Sequence, residues 1–439
     1  MNCLRAAAAS LLLAPPLAAR AQTPTPIPID VAAHYFAEAR ALCTADGGAL
    51  WGVSLCGPIM FVDAPSRRIV ASEADAKGAL RPDHGVFVGV LPAEQNVANT
   101  AMEWSGVRWT QIAWPLPRDA RLRATQMAHE LFHRIQPQLA FTKLQMPGNA
   151  HLDELDGRYY MQLEWRALAR ALGARGERGD TEPLHDALIF RAMRYRLYPN
   201  AAAEERALEM NEGLAEYTGV MAGNPGREAQ TAMALHDLSA HVSDATFVRS
   251  FAYATGPAYG LLLDRYAPGW RKTLKPGAAL DSMLLAAIQA GIPPNIEQAI
   301  AAYAARYDGP ALHSAEVERD RARQQRLAIA RRRFIDGPTL TLALRHMNVQ
   351  FDPRNLQPLG DAGTVYPTIH ISDDWGILDA TNGALMKPDW SAIILEAPPT
   401  AADSVVRGDG WSLTLKPGWS VVPAARAGDF VLSAPSSNH

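Results

Sequence analysis

Apolar residues change their spacing twice along this chain, and the two changes divide it into three folded parts. Residues from about Asp30 to Leu42 carry a helical pattern, with Asp30 placed to cap the first turn. Short runs of strand character follow: LWGVSLCGPIMFVD, RRIVAS, GVFVGVLP and VRWTQIAWPLP. Separated by Gly, Pro and Asp, they predict a small, largely antiparallel sheet completing a part over 22–117. From Pro117 the period becomes helical and stays so to roughly Phe334. The predicted helices run over 118–135, 155–172, 184–198, 201–220, 229–242, 245–266, 280–289, 296–306 and 315–333. Breakers between them include GARGERGD, Pro199-Asn200 and Gly223-Asn224-Pro225-Gly226, and Asn200 stands as an N-cap. After Asp336-Gly337-Pro338 the pattern returns to strands, in TLTLAL, TVYPTIHI, AIILEA, WSLTL and FVLSA, predicting a β-rich domain over 338–439. The expected class is α+β.

The first residues carry a different signal. Arg5 precedes an apolar stretch from Ala6 to Ala18, and Ala19-Arg20-Ala21 fits a small-x-small cleavage rule. This predicts a signal peptide over 1–21, too short for an ordinary membrane span. Cleavage before Gln22 and a TPTPIP spacer then imply a soluble protein exported to the periplasm or secreted. No later run reaches spanning length without charges, so no integral span is expected after signal removal.

At 439 residues the chain is long enough for a large core, and 48% apolar with 20% charged residues is ordinary globular composition. A formal net charge of -3 gives no support to nucleic-acid binding. The basic run at ARRRF shares its helix with Glu316, Glu318 and Asp320, which makes it a solvated helix between domains. Trp375 and Trp411 are expected as buried core aromatics. Cys3 lies in the predicted signal peptide. Cys43 and Cys56 remain, and in an oxidising compartment a disulfide would fasten the first helix to the first strand; two unpaired buried thiols are the alternative.

The chemistry concentrates in His129-Glu130-Leu131-Phe132-His133. Residues four apart share one helix face, so His129 and His133 can aim both imidazoles at one ion with Glu130 beside them. Zinc suits neutral imidazole nitrogen, and a neighbouring carboxylate can take a proton from water at the metal. Leu122, Ala128, Leu131, Phe132 and Ile135 make the helix substantially apolar, and a histidine pair on a mostly buried helix needs partners. Paired structural histidines are the alternative. A third ligand must come from elsewhere, and Glu212 in NEGLAEY is the leading candidate, with Glu216 on the same helix face able to hold a ligand histidine's distal N–H. Glu164, in QLEWRAL, is the rival ligand, and Glu154 a weaker one.

These residues resemble the gluzincin peptidases, the group that includes thermolysin-like enzymes and M1 aminopeptidases. There, HExxH on one helix is completed by a Glu from a later helix. The resemblance implies a zincin-like catalytic unit with Glu212 as third zinc ligand, and Glu216, at the spacing of the acid that orients a zinc-binding histidine. Tyr253-Ala254-Thr255-Gly256 is similar to the YxxG segment whose tyrosine stabilises the transition state, which implies that role for Tyr253. Tyr259, Tyr217 and His185 are its competitors. The family plan also implies an edge strand near Asn99, Thr100 and Ala101 pairing with an extended substrate. The stretch between His133 and Glu212 is longer than the family's usual spacer and holds two additional helices. The likeness leaves the C-terminal domain unassigned.

Together these readings predict zinc-dependent hydrolysis of peptide bonds in a peptide or protein substrate, with Glu130 as general base. A hydrolase for a non-peptide amide is a smaller possibility. An exported binding or assembly protein with a zinc-stabilised, non-catalytic core is the alternative from another class. Cleavage at a terminus or internally, side-chain preference and oligomeric state are not specified by the motif.

Overall fold

The computed structural model describes residues 27–139, 148–174, 181–351, 355–400 and 404–435. The predicted signal peptide and most of the spacer lie outside them, as do residues 175–180 of the GARGERGD breaker. The protein is mixed α+β, a helical centre with a sheet before it and a β-rich region after it.

Helix α1 (Ile29–Asp46) buries Ala32, Phe36, Ala39 and Cys43, a spacing of three and four that keeps one face inward. Pro28, not Asp30, holds the N-cap position. Asp30 lies inside the first turn and makes no capping bond, because the N-cap falls two residues earlier than expected. Gly47 ends the helix in the left-handed region at φ 55°, its N–H donating to the Cys43 carbonyl. Cys43 is disulfide-bonded to Cys56, with Cα atoms 5.1 Å apart. Cys56 precedes the first strand, so the bond ties α1 to the segment leading into the sheet.

That sheet contains β1 (Ile59–Asp63), β2 (Arg68–Ala71), β3 (Arg81–Asp83), β4 (Val86–Val90), β5 (Thr100–Trp104) and β6 (Val107–Trp114), in the order β3-β4-β2-β1-β6-β5. Only β1 and β6 pair in parallel. Strand β1 is buried along its whole length. Ile59 and Phe61 face the helices, whereas Met60 and Val62 face a second cluster with Ile69, Leu80 and Trp109. Strand β5 is an edge. Its hairpin with β6 turns at Ser105 and Gly106, both at positive φ (50° and 80°), the two-residue turn that matches strand twist. Trp104 and Val107 flank this turn as a hydrogen-bonded pair, so alternate residues Ala101 and Glu103 direct their backbone N–H and C=O away from β6.

The helical centre comprises α2 (Ala120–Ile135), α3 (Leu155–Gly173), α4 (Glu182–Leu197), α5 (Ala201–Leu208), α6 (Leu214–Gly223), α7 (Arg227–Ala240), α8 (Ser250–Tyr266), α9 (Trp270–Thr273), α10 (Leu280–Ala287), α11 (Ile296–Ala305) and α12 (Gly309–Arg331). Asn200 sits at the N-cap of α5 but makes no side-chain capping bond. Between α5 and α6 the helix widens to a π turn over Glu209–Gly213. Among the described residues, no helix is long and apolar enough to cross a membrane.

Helices α2 and α6 lie close together because two glycines face Thr125. A Cβ on Gly219 would fall 2.6 Å from the Thr125 carbonyl oxygen, and one on Gly223 would fall 2.7 Å from its nitrogen. Farther along, a Cβ on Gly256 of α8 would meet the Gly213 carbonyl oxygen at 2.2 Å, so α8 presses directly on the π turn.

The C-terminal strands are β7 (Thr339–Ala343), β8 (Asn348–Phe351), β9 (Gln357–Pro358), β10 (Thr364–Tyr366), β11 (Ile369–Asp373) and β12 (Gly376–Ala380). They continue as β13 (Ala384–Met386), β14 (Ala392–Glu396), β15 (Val405–Gly408), β16 (Trp411–Leu415), β17 (Ser420–Pro423) and β18 (Phe430–Ser433). They form two sheets, ordered β17-β18-β7-β14-β13-β10-β9 and β15-β16-β12-β11-β8. Leu340, Ile371, Leu378, Ile393 and Leu413 fill the core between them, together with Trp375 and Trp411.

Candidate metal centre

Asp119 caps α2, its carboxylate accepting from the N–H groups of Arg121 and Leu122. One face of α2 then carries Thr125, His129 and His133 at intervals of one turn. With Thr125 held against Gly219 and Gly223, the helices run antiparallel, and each step along α2 meets a step back along the other segment. Glu216 thus meets His129, and Glu212 on the π turn meets both histidines. Glu216 Oε2 lies 2.6 Å from His129 Nδ1. Glu212 Oε2 lies 3.5 Å from His129 Nε2 and 3.4 Å from His133 Nε2, and the two Nε2 atoms are 3.0 Å apart.

The outer partners fix what those three atoms present. Glu216 accepts a proton-bearing Nδ1 from His129. Gln136 Oε1 does the same for His133 at 3.0 Å, its amide oriented by Nε2 facing the carbonyls of Met210 and Asn211. Neutral imidazoles held that way turn their Nε2 lone pairs inward. Two lone pairs and a carboxylate oxygen therefore converge, an arrangement that repels itself unless a cation or extra protons intervene. Tetrahedral zinc with bonds of about 2.0–2.1 Å places its ligand atoms about 3.3 Å apart, so the spacing fits. Two imidazoles also favour zinc and its transition-metal neighbours over the hard cations that take oxygen ligands.

The electrostatics of these side chains point the same way. Burial disfavours charge on His129, but hydrogen bonds to Glu212 and Glu216 outweigh it and hold the imidazole well above its ordinary value. Burial likewise opposes ionisation of Glu212, yet the two histidines hold its carboxyl well below the usual range. Glu130 is different. Burial is the main cause that pushes its carboxyl up. It offers an atom within 4.8 Å of both imidazoles, but its Oε1 stands 4.0 Å from His129 Nε2, farther than Glu212. Glu130 Oε2 is buried with no hydrogen-bond partner among the described residues. Glu212 thus stands closer to the imidazole Nε2 atoms than Glu130 does.

Helix α8 closes one side. Tyr253 stacks on His129, ring centroids 5.4 Å apart, and its hydroxyl donates to Glu212 Oε2 at 2.8 Å. Burial, followed by the Glu212 charge, raises the phenol well above its ordinary value, so it stays protonated. Arg249, one turn earlier, donates to Glu212 Oε1 at 3.0 Å.

The rivals lie elsewhere. Glu164 is fully buried, accepting from Arg191 Nε and the Tyr259 hydroxyl at 2.9 Å each and from Arg194 Nη2 at 2.8 Å. Arg191 also forks onto Glu209 and Arg194 onto Glu205. This is an ion network that anchors the π turn from beneath. Glu154 is exposed at the start of α3. Tyr217 donates to Asp264, and His185 lies 2.9 Å from the Gly291 carbonyl. None of these reaches the histidine pair.

The network makes a pH prediction. Burial would raise Glu205, but Arg194 beside it brings the carboxyl down to about 2. A depressed carboxylate stabilises fully above its unfolded pKa, about 4.3, and that contribution disappears as pH falls through the folded value. Urea midpoints should therefore drop through this acid window, and Glu205→Gln should flatten the drop. An equally steep loss in the variant would remove Glu205 as its source.

Three cleft residues escaped sequence reasoning: Arg249, Gln136 and Asp237. Arg249 and Gln136 stand one turn from motif residues, which was the available signal. Asp237 on α7 carried none. Burial and then the Glu216 charge push its carboxyl up to about 9, and it lines the same cleft.

Fold and site define an α+β protein with a buried cluster of two histidines and one glutamate suited to a metal. Comparison with protein-family models, curated proteins and solved structures returned no match.

Proposed function

We propose that this chain is an exported zinc-dependent hydrolase acting on peptide bonds, a gluzincin-like metallopeptidase. The observation that carries the proposal is the convergence of His129 Nε2, His133 Nε2 and Glu212 Oε2 within 3.0–3.5 Å, with Glu130 beside them instead of among them. Three protein ligands are the shell of a site that keeps a position open for chemistry, whereas structural zinc takes four. Bound there, zinc would act as a Lewis acid toward a carbonyl and would make water a better nucleophile at neutral pH.

The chain's own groups perform the remaining work. Glu130, its carboxyl raised by burial, is poised to accept a proton from the attacking water and deliver it to the leaving amine. Its Oε1, 4.0 Å from His129 Nε2, is the oxygen that faces the imidazoles. Tyr253 remains protonated and donates toward the developing oxyanion once its bond to Glu212 yields. Gln136 and Glu216 hold the imidazole tautomers. On the opposite side, edge residue Ala101 offers an outward N–H and C=O to an extended backbone. The disulfide and the leader-like first residues support export.

Zinc content and hydrolysis of reduced, carboxymethylated casein test the reading together. The expected result is one zinc per chain, loss of cleavage on chelation and recovery on adding zinc back. A chain that binds zinc but leaves casein intact would favour the non-catalytic alternative.

A further inference from the structure

The sequence left the C-terminal β domain without a role, yet its sheet shares a cavity with the metal cluster. That cavity is about 1610 Å³. Small-molecule sites are about 300–1,000 Å³, so the space suits a polymer segment. Its lining runs from Asn99, Thr100 and Ala101 at the β5 edge, past the α2 histidines, to β8, β11 and β12.

Register determines which side chains the second wall presents. Gln350, His370 and Asp379 are direct cross-strand partners and share one sheet face. The alternate residues, Ile371 and Leu378, point into the domain core and are fully buried. The polar row therefore faces away from the core, and all three of its residues line the cleft. His370 Nδ1 lies 2.7 Å from Asp379 Oδ1. That contact holds the proton on Nδ1 and leaves Nε2 as an acceptor, while Gln350 brings both a donor and an acceptor. The donor and acceptors of Gln350 and His370 match peptide amides.

We propose that the Gln350–His370–Asp379 row is the second wall of the substrate cleft, and that it binds the backbone of an extended polypeptide whose other edge lies along β5. The inference rests on the peptidase reading and deepens it: the substrate is an unfolded segment long enough to touch both walls, cut within its length. A four-residue peptide spans about 13 Å when extended and reaches the metal cluster without needing both walls, whereas a twenty-residue one has length to engage them together.

The test uses the full zinc-loaded chain, a fluorescein-labelled unstructured 20-residue peptide and a 4-residue peptide containing the same cleaved bond. In the double variant Gln350→Ala/His370→Ala, the ratio of kcat/KM for the long peptide to that for the short one should fall about tenfold, the loss of one or two hydrogen bonds. An unaltered ratio overturns the proposal. Binding of the labelled 20-mer to Glu130→Gln protein, followed by anisotropy, provides a readout without turnover. Adding the double replacement, or separately Ala101→Pro at the opposite edge, should weaken that binding about tenfold. A 20-mer that does not bind, or binds equally to all variants, also overturns the second wall, even where casein is cleaved. Binding that responds as expected without any hydrolysis would sink the peptidase reading and leave the polypeptide cleft standing.

Discussion

Glu130→Gln is expected to lower peptide hydrolysis by about 10²–10⁴-fold, with zinc still bound at one ion per chain. The amide keeps the shape of the carboxyl but cannot take the proton that the proposed mechanism assigns to Glu130. Because Glu130 Oε1 stands 4.0 Å from His129 Nε2, outside the tight triangle formed with Glu212, the replacement leaves the ligand atoms in place. It also removes a buried ionisable group, so the fold is not left with a stranded charge. Zinc measured by mass spectrometry and turnover measured on the same sample separate the two effects. Activity within a few fold of the parent would end the assignment of Glu130 as base; loss of zinc would make it a ligand.

The second large effect contrasts two glutamates. Glu212→Ala should weaken zinc binding by more than the about 10–100-fold typical of losing an outer partner, because it removes an atom of the triad. Glu164→Ala should retain zinc and lose stability instead. Its carboxylate is one of the groups neutralising Arg191 and Arg194, both fully buried, and breaking one side of such a network costs about 3–5 kcal/mol. Zinc titration and urea unfolding of both variants give the comparison. A folded Glu164→Ala protein without zinc, beside a zinc-replete Glu212→Ala protein, would reverse the ligand assignment.

What the sequence made legible was whatever depends on spacing along one helix. His129 with His133, and Glu212 with Glu216, are four apart, and a helix places such pairs on one face whatever else the chain does. The choice between Glu212 and Glu164 was not of that kind. Both are buried acids on helices, and only tertiary packing brings Arg191, Arg194 and Tyr259 to one of them and the histidines to the other. Arg249 and Asp237 were hidden for the same reason, since α7 and α8 reach the cleft from outside the motifs. Strand β5 is absent from the runs read by periodicity because Thr100–Trp104 carries no regular apolar alternation; only the family plan implied an edge strand near Asn99, Thr100 and Ala101, and its place comes from pairing with β6. The π turn at Glu209–Gly213 has no composition of its own and lies where α8 brings Gly256 against Gly213. Caps were the least legible. Asp30 and Asn200 have the right chemistry near helix starts, yet neither makes the bond.

The bare backbone surfaces at Gly219 and Gly223 have a consequence for how the centre is loaded. The distance between the histidine-bearing and glutamate-bearing helices is set by the two glycines against the Thr125 main chain, with the short Thr125 side chain beside Gly219 and held by Asn224. On the metal-binding reading proposed above, folding alone brings the two helices together, unlike a zinc finger, whose ligands gather only when the ion arrives. A proposed ion would then meet side chains whose helices folding has already set side by side.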